Sequence, residues 1–191
     1  MTKRTMSLAV ALFVASSVAG LAGKLANGGF EQDLGSRDQL NVWGDYGDIW
    51  GGGQRVAAGP GQPVKKAHGG ERLLLINIAP DSWNGAWQQI KWDEKRPFAW
   101  SAYYLIKGDL PTNCSTFMKI EFYDANDAQI GSVDGDRHRA DTRGQWIQDS
   151  MKGQTPAGAA AIRFILIAGD NTGGATNIEN RIFWDDAEST P

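Results

Sequence analysis

Between residues 71 and 187 the chain alternates apolar and polar residues in short runs. No run repeats its apolar positions at the 3.6-residue spacing of a long amphipathic helix. The runs are 71–79 (ERLLLINIA), 86–92 (AWQQIKW), 98–108 (FAWSAYYLIKG), 115–124 (STFMKIEFYD), 128–134 (AQIGSVD), 145–153 (QWIQDSMKG), 160–169 (AAIRFILIAG) and 181–187 (RIFWDDA). An opening strand is expected after the turn Asn27-Gly28-Gly29, with Phe30 pointing into a core and Glu31 facing away from it. Together these make about nine strands with turn signals and no helices between them, which predicts an all-β, two-sheet antiparallel β-sandwich. Asp124-Ala125-Asn126-Asp127 is rich in residues that accept turn conformations, so 117–123 and 129–133 should pair as a hairpin. There is no internal repeat.

Residues 1–23 read as a signal peptide: Lys3 and Arg4, then the apolar run 8–15, then small residues, with cleavage after Ala19 or Ala22. The run is too short to span a bilayer, and Lys24 stands where a lipid-bearing Cys would be, so neither a membrane span nor a lipid anchor is expected. The remainder, 24–191, suits a single domain. The formal net charge is −3 with charges scattered, which argues against nucleic acid or anionic lipid as partners. Cys114 is the only cysteine, so an internal disulfide and a cysteine zinc cluster are excluded. Eight Trp and 24 Gly remain to be explained. Trp either fills large cores or offers flat faces to ligands, and Gly-rich connections suit short strands.

Two stretches, 35–70 and 134–144, carry no strand pattern. The first holds Trp43, Tyr46 and Trp50, either as plugs at the end of the sandwich or as a binding loop. The second (DGDRHRADTRG) reads as a solvated loop with local ion pairs. Catalysis is not expected. The only histidines, His68 and His138, lie in polar loops, carboxylates sit mainly in turns, and no G-x-S-x-G or HExxH motif is present.

Taken in order, NGGFE, GGERLLLIN, NGAWQQI, FAWSAYYLIKG, MKIEFYDAND, TPAGAAAIRFILI and IFWDDAE resemble the calcium-containing jelly-roll carbohydrate-binding modules, the galactose-binding-like group that includes families 4, 9 and 22. The resemblance implies a jelly-roll sandwich and a structural Ca2+ joining the N- and C-terminal strands. Its ligands would be Gly29, Glu31, the loop around His68 to Gly70, and Asp185 or Asp186. These oxygens suit a hard cation. Lys65 and Lys66 depart from the pattern, and Glu71 is the alternative source of the loop carboxylate.

A sugar site needs aromatic faces beside paired donors and acceptors. The candidates are Trp43, Tyr46, Trp50 and Trp83 in loops, with polar neighbours Asn41, Asp45, Asp48 and Asn84. Tyr103 joins them, because it shares a strand face with Ser101 and Leu105 opposite the face of Phe98, Trp100, Ala102 and Tyr104. Trp87, Trp146 and Trp184 are assigned to the core. The resemblance thus implies a secreted, non-catalytic binder of a polysaccharide or glycan; the alternative is an extracellular matrix or cell-envelope protein that reuses the fold.

Overall fold

The computed structural model describes residues 25–32, 43–47, 53–170 and 177–190, with backbone alone for 44–47, 170 and 190. Ten strands follow in chain order: β1 (Gly44–Gly47), β2 (Gly53–Ala57), β3 (Arg72–Ile78), β4 (Trp83–Lys91), β5 (Pro97–Ile106), β6 (Cys114–Tyr123), β7 (Gln129–Asp134), β8 (Ile147–Gln154), β9 (Ala161–Asp170) and β10 (Ile178–Thr190). They form two five-stranded sheets, β1-β4-β9-β6-β7 and β2-β3-β10-β5-β8. Every pairing is antiparallel. The described residues contain no helix.

Alternation decides which side chains meet between the sheets. From β9, Ile162, Phe164, Leu166 and Ala168 point inward; from β3, Leu74, Ile76 and Ile78; from β5, Phe98, Trp100, Ala102, Tyr104 and Ile106. The Leu, Ile and Phe side chains among them contribute roughly 1.5–3 kcal/mol each on full burial. Trp184 is wholly buried, and its Nε1 donates to Thr116 Oγ1 at 2.8 Å, tying β10 to β6 across the core.

The hairpin at 124–127 forms as expected. Asp124 Oδ1 accepts from the amides of Asn126 and Ala128 at 2.8 and 2.9 Å, and these amides hold its carboxyl below the usual range. Ile120 then pairs with Val133 and Glu121 with Ser132.

The N-terminal segment departs from expectation. Residues 25–32 form turns rather than a strand: Phe30 N donates to Asn27 O at 3.0 Å, and Phe30 takes φ 54°. Phe30 still enters the core, against Trp43 at a centroid distance of 5.1 Å. The segment clasps β10, with Leu25 N donating to Ser189 Oγ and Ala187 N to Gly28 O, both at 2.9 Å. The strands β1 and β2 lie inside the stretch expected to be irregular. The expected signal peptide, 1–23, lies outside the described residues.

Candidate functional site

Antiparallel register lays out the outer face of the first sheet in rungs. Trp83 stands beside Gly169 and Ser115; Gly85 beside Ile167 and Phe117; Trp87 beside Ile165 and Lys119; Gln89 beside Arg163 and Glu121. Both faces of β4, β9 and β6 are therefore apolar in places. Trp83, Trp87, Phe117, Ile165 and Ile167 form a cluster separate from the inter-sheet core. Gly169 makes room for the indole: a Cβ there would fall 2.1 Å from Trp83 Cε3.

Charged groups are built into this face. The Arg163 guanidinium lies 4.2 Å from the Trp87 ring centroid and 4.3 Å from that of Tyr123, so it is held between two rings. It donates to Gln89 Oε1 at 2.8 and 3.1 Å and pairs with Glu121 at 3.6 Å. Glu121, 4% exposed, also receives the Tyr123 hydroxyl at 2.7 Å and the Lys119 ammonium at 3.0 Å. Arg137 stacks over Phe117 at 4.2 Å and pairs with Asp134 at 3.1 Å. The result is a row of fixed donors and acceptors beside aromatic rings.

A second cluster lies where the N-terminal turn meets β10. Glu31 Oε1 accepts from the amides of Glu71 and Arg72 at 2.9 and 3.0 Å. Asp185 is wholly buried; its Oδ2 accepts from His68 N and Gly69 N at 2.9 and 3.1 Å, and its Oδ1 from Asp186 N at 2.8 Å. Burial pushes the Asp185 carboxyl up to about 7, against the pull of those amides. Asp186 meets His68 Nδ1 at 2.6 Å. Glu31 and Asp186 converge on one glycine pair: a Cβ on Gly70 would lie 2.1 Å from Glu31 Oε1, and one on Gly69 2.5 Å from Asp186 Oδ2. Gly29 adjoins the same carboxylate, its Cβ position being 3.1 Å from Asp186 Oδ1. Glu71 takes part through its amide.

Several expectations need correction. Trp43 is fully buried and has no ring face for a ligand. Asn84 is 1% exposed, its Nδ2 spent on Asn77 O and Ser82 Oγ at 2.9 and 3.3 Å. Trp87 is buried, but in the outer-face cluster and not between the sheets. Trp146 is half-buried on the outer face of the second sheet and donates from Nε1 to Lys66 O at 3.2 Å. Tyr103 faces outward as expected, covered by the His68 ring stacked 3.5 Å away. Trp83 is half-buried on the outer face of the first sheet, edge-on to Phe117. Tyr46 pairs through its backbone with Gly85, which puts it in that same face's register; its side chain, Trp50, Asn41 and Asp48 lie outside the described residues. Arg163, Glu121 and Gln89 were missed, although their alternation with Ile162, Phe164, Ile120 and Ile90 marked them as sharing one face.

The sequence matches no protein-family profile and no curated protein. The fold does match solved structures. A family 61 carbohydrate-binding module in complex with β-1,4-galactotriose aligns with TM-score 0.54 at 15% identity, over 87% of this chain and 96% of that one. The family 22 xylan-binding domain of Paenibacillus barcinonensis Xyn10C aligns with TM-score 0.53 at 12% identity, over 84% and 89%. The enzymatically active domain of bacteriophage CBA120 tailspike protein 4 aligns with TM-score 0.53 at 12% identity, over 86% of this chain but 21% of that one. With two antiparallel five-stranded sheets and these neighbours, the chain has the fold of the jelly-roll carbohydrate-binding modules.

Proposed function

We propose that this chain is a secreted, non-catalytic binder of a neutral polysaccharide or glycan, and that the outer face of the first sheet is its sugar site. Fold alone does not fix function. The observation that carries the reading is Trp83, the half-buried indole of this face, with Arg137 5.5 Å from its ring, and on the same face the partly exposed Arg163 and Lys119 held in place by the buried Trp87, Tyr123, Gln89 and Glu121. Sugars offer C–H patches to aromatic rings and hydroxyls to fixed donors and acceptors, and this face has both. The two oxygens of the buried Glu121 are occupied by Lys119, Tyr123 and Arg163, so this carboxylate fixes its neighbours in place and is not presented as a proton carrier.

The structural Ca2+ belongs to the same proposal. The donor chemistry fits: Glu31 and Asp186 bring carboxylates to the Gly69–Gly70 loop, and Gly29 lies beside them. No three His, Cys, Asp or Glu side chains among the described residues form a ready metal cluster, so backbone carbonyls and water would complete the six to eight oxygens that Ca2+ takes. The ion would offset the mutual repulsion of these carboxylates and pin the N-terminal turn to β10.

The test is a glycan and polysaccharide array, run with and without chelator and repeated with Trp83→Ala. A neutral glycan should bind, and the variant should bind about tenfold more weakly, the loss of roughly 1.4 kcal/mol. The second reading, a structural envelope or matrix component, draws on Ile130 and Val133, which are 41% and 46% exposed on the edge strand β7. A blank array together with self-association that Val133→Lys abolishes would install that reading instead.

A further inference from the structure

The outer face of the second sheet carries its own cleft. The segment between β2 and β3 folds back over it, so that Val64 and Ala67 cover Leu73, Leu75, Leu105 and Phe183. Beside this cover a cleft of about 700 Å3 runs between Pro63–His68 and the loop bearing Asp141, Arg143 and Trp146, with Leu105 in its lining. That volume lies inside the range of roughly 300–1,000 Å3 typical of small-molecule sites. Trp146 Nε1 donates to Lys66 O at 3.2 Å, a contact between the two sides, and Lys107 Nζ donates to Pro63 O at 2.9 Å.

Four cations line the cleft: Lys65, Lys66, Lys107 and Arg143. None of them makes an ion pair among the described residues. The one lining carboxylate, Asp141, is turned to the backbone, accepting from Arg143 N at 2.9 Å. His68, which also lines the cleft, is occupied by Asp186. Asp141 still feels the charge of Arg143, but against four cations it leaves the cleft with an excess of positive charge beside an aromatic wall and an apolar lining. On a chain of net charge −3 that concentration is local, and it is complementary to a ligand with a ring face and carboxylates.

We propose that this cleft is a second ligand site, separate from the first-sheet face, that takes an oligosaccharide bearing uronate carboxylates. Trp146 meets a sugar ring, and Lys66 and Arg143, both exposed, meet the carboxylates. The proposal does not depend on the neutral-sugar reading of the opposite face, from which the sandwich core separates it.

Isothermal titration of the full chain with trigalacturonate, and with its uncharged methyl ester, tests the assignment. The acid should bind at least about tenfold more tightly than the ester, the effect of one charge-assisted hydrogen bond. Binding should weaken on going from ~0.1 to ~1 M salt, which shortens the Debye length from about 10 to about 3 Å. Lys66→Gln/Arg143→Gln should lower affinity for the acid about tenfold or more with the melting temperature nearly unchanged, since both side chains are exposed and neither makes an ion pair among the described residues. Trp83→Ala, on the other face, should leave it intact. Absence of binding, equal binding of acid and ester, or wild-type affinity in the double variant overturns the proposal. Loss of binding in Trp83→Ala would move the acid ligand to the first sheet and overturn it too.

Discussion

On the outer face of the first sheet Arg163, Lys119 and Arg137 each have a carboxylate partner, at 3.6, 3.0 and 3.1 Å. On that of the second, Lys65, Lys66, Lys107 and Arg143 make no ion pair among the described residues. The first arrangement consumes charge and leaves geometry: Arg163 cannot leave its place between Trp87 and Tyr123 without giving up Gln89 and Glu121. The second leaves charge for something else to meet. A paired network suits neutral hydroxyls, which need orientation, whereas unpaired cations suit an anion, which needs field. Two faces of one sandwich can thus differ in ligand class with the same core behind both.

The largest effect that would test this contrast is structural. Glu121→Ala strips the partner from Lys119 and Arg163, leaving two poorly solvated cations, and should cost about 3–5 kcal/mol in chemical denaturation. A loss under about 1 kcal/mol would mean that the network is an ordinary surface one and the contrast is empty. Next comes the ion proposed at the junction of Glu31 and Asp186. At a hundredfold excess over its Kd a ligand confined to the folded state adds about 2.7 kcal/mol, so chelator should lower the melting temperature by several degrees and Ca2+ should restore it. Glu31→Ala should make the melting curve indifferent to both; a wild-type curve unmoved by chelator removes the ion. The smallest effect belongs to the unpaired side: Lys66→Gln should change stability by no more than about 0.5 kcal/mol in the same denaturation series. A larger loss would show that Lys66 is structural and weaken the case for a waiting site.

The strands β3 to β10 were readable because each alternates and is closed by turn residues, as Asp124 to Asp127 close the β6–β7 hairpin. The strands β1 and β2 were not, because GDYG and GQRVA carry too few apolar residues to alternate. Period two reports which residues share a face; it does not say which face is inside when both are apolar. Trp87 was therefore assigned to the inter-sheet core, although Ile165 and Phe117 gather with it on the outside. The converging acids were legible through resemblance, since Glu31 and Asp186 come together only after the chain ends meet. The cationic cleft was not legible. Its parts come from 63–68, 105–108 and 141–146, and Lys65-Lys66 read on its own is merely a soluble patch.

The clasp of the N-terminal turn on β10 has a kinetic counterpart. Last of the strands in chain order, β10 lies third in its sheet, between β3 and β5. Until its 13 residues are available, the second sheet exists only as two separate ribbons, β2-β3 and β5-β8, with no partner for the inner edges of β3 and β5. Pairings between residues as distant as Ile78 and Ile178 are long-range, and such topologies fold slowly because loop closure must precede the contacts that reward it. The second sheet is therefore completed late, only when β10 slots between two waiting edges, whereas every strand of the first sheet precedes β10 in the chain.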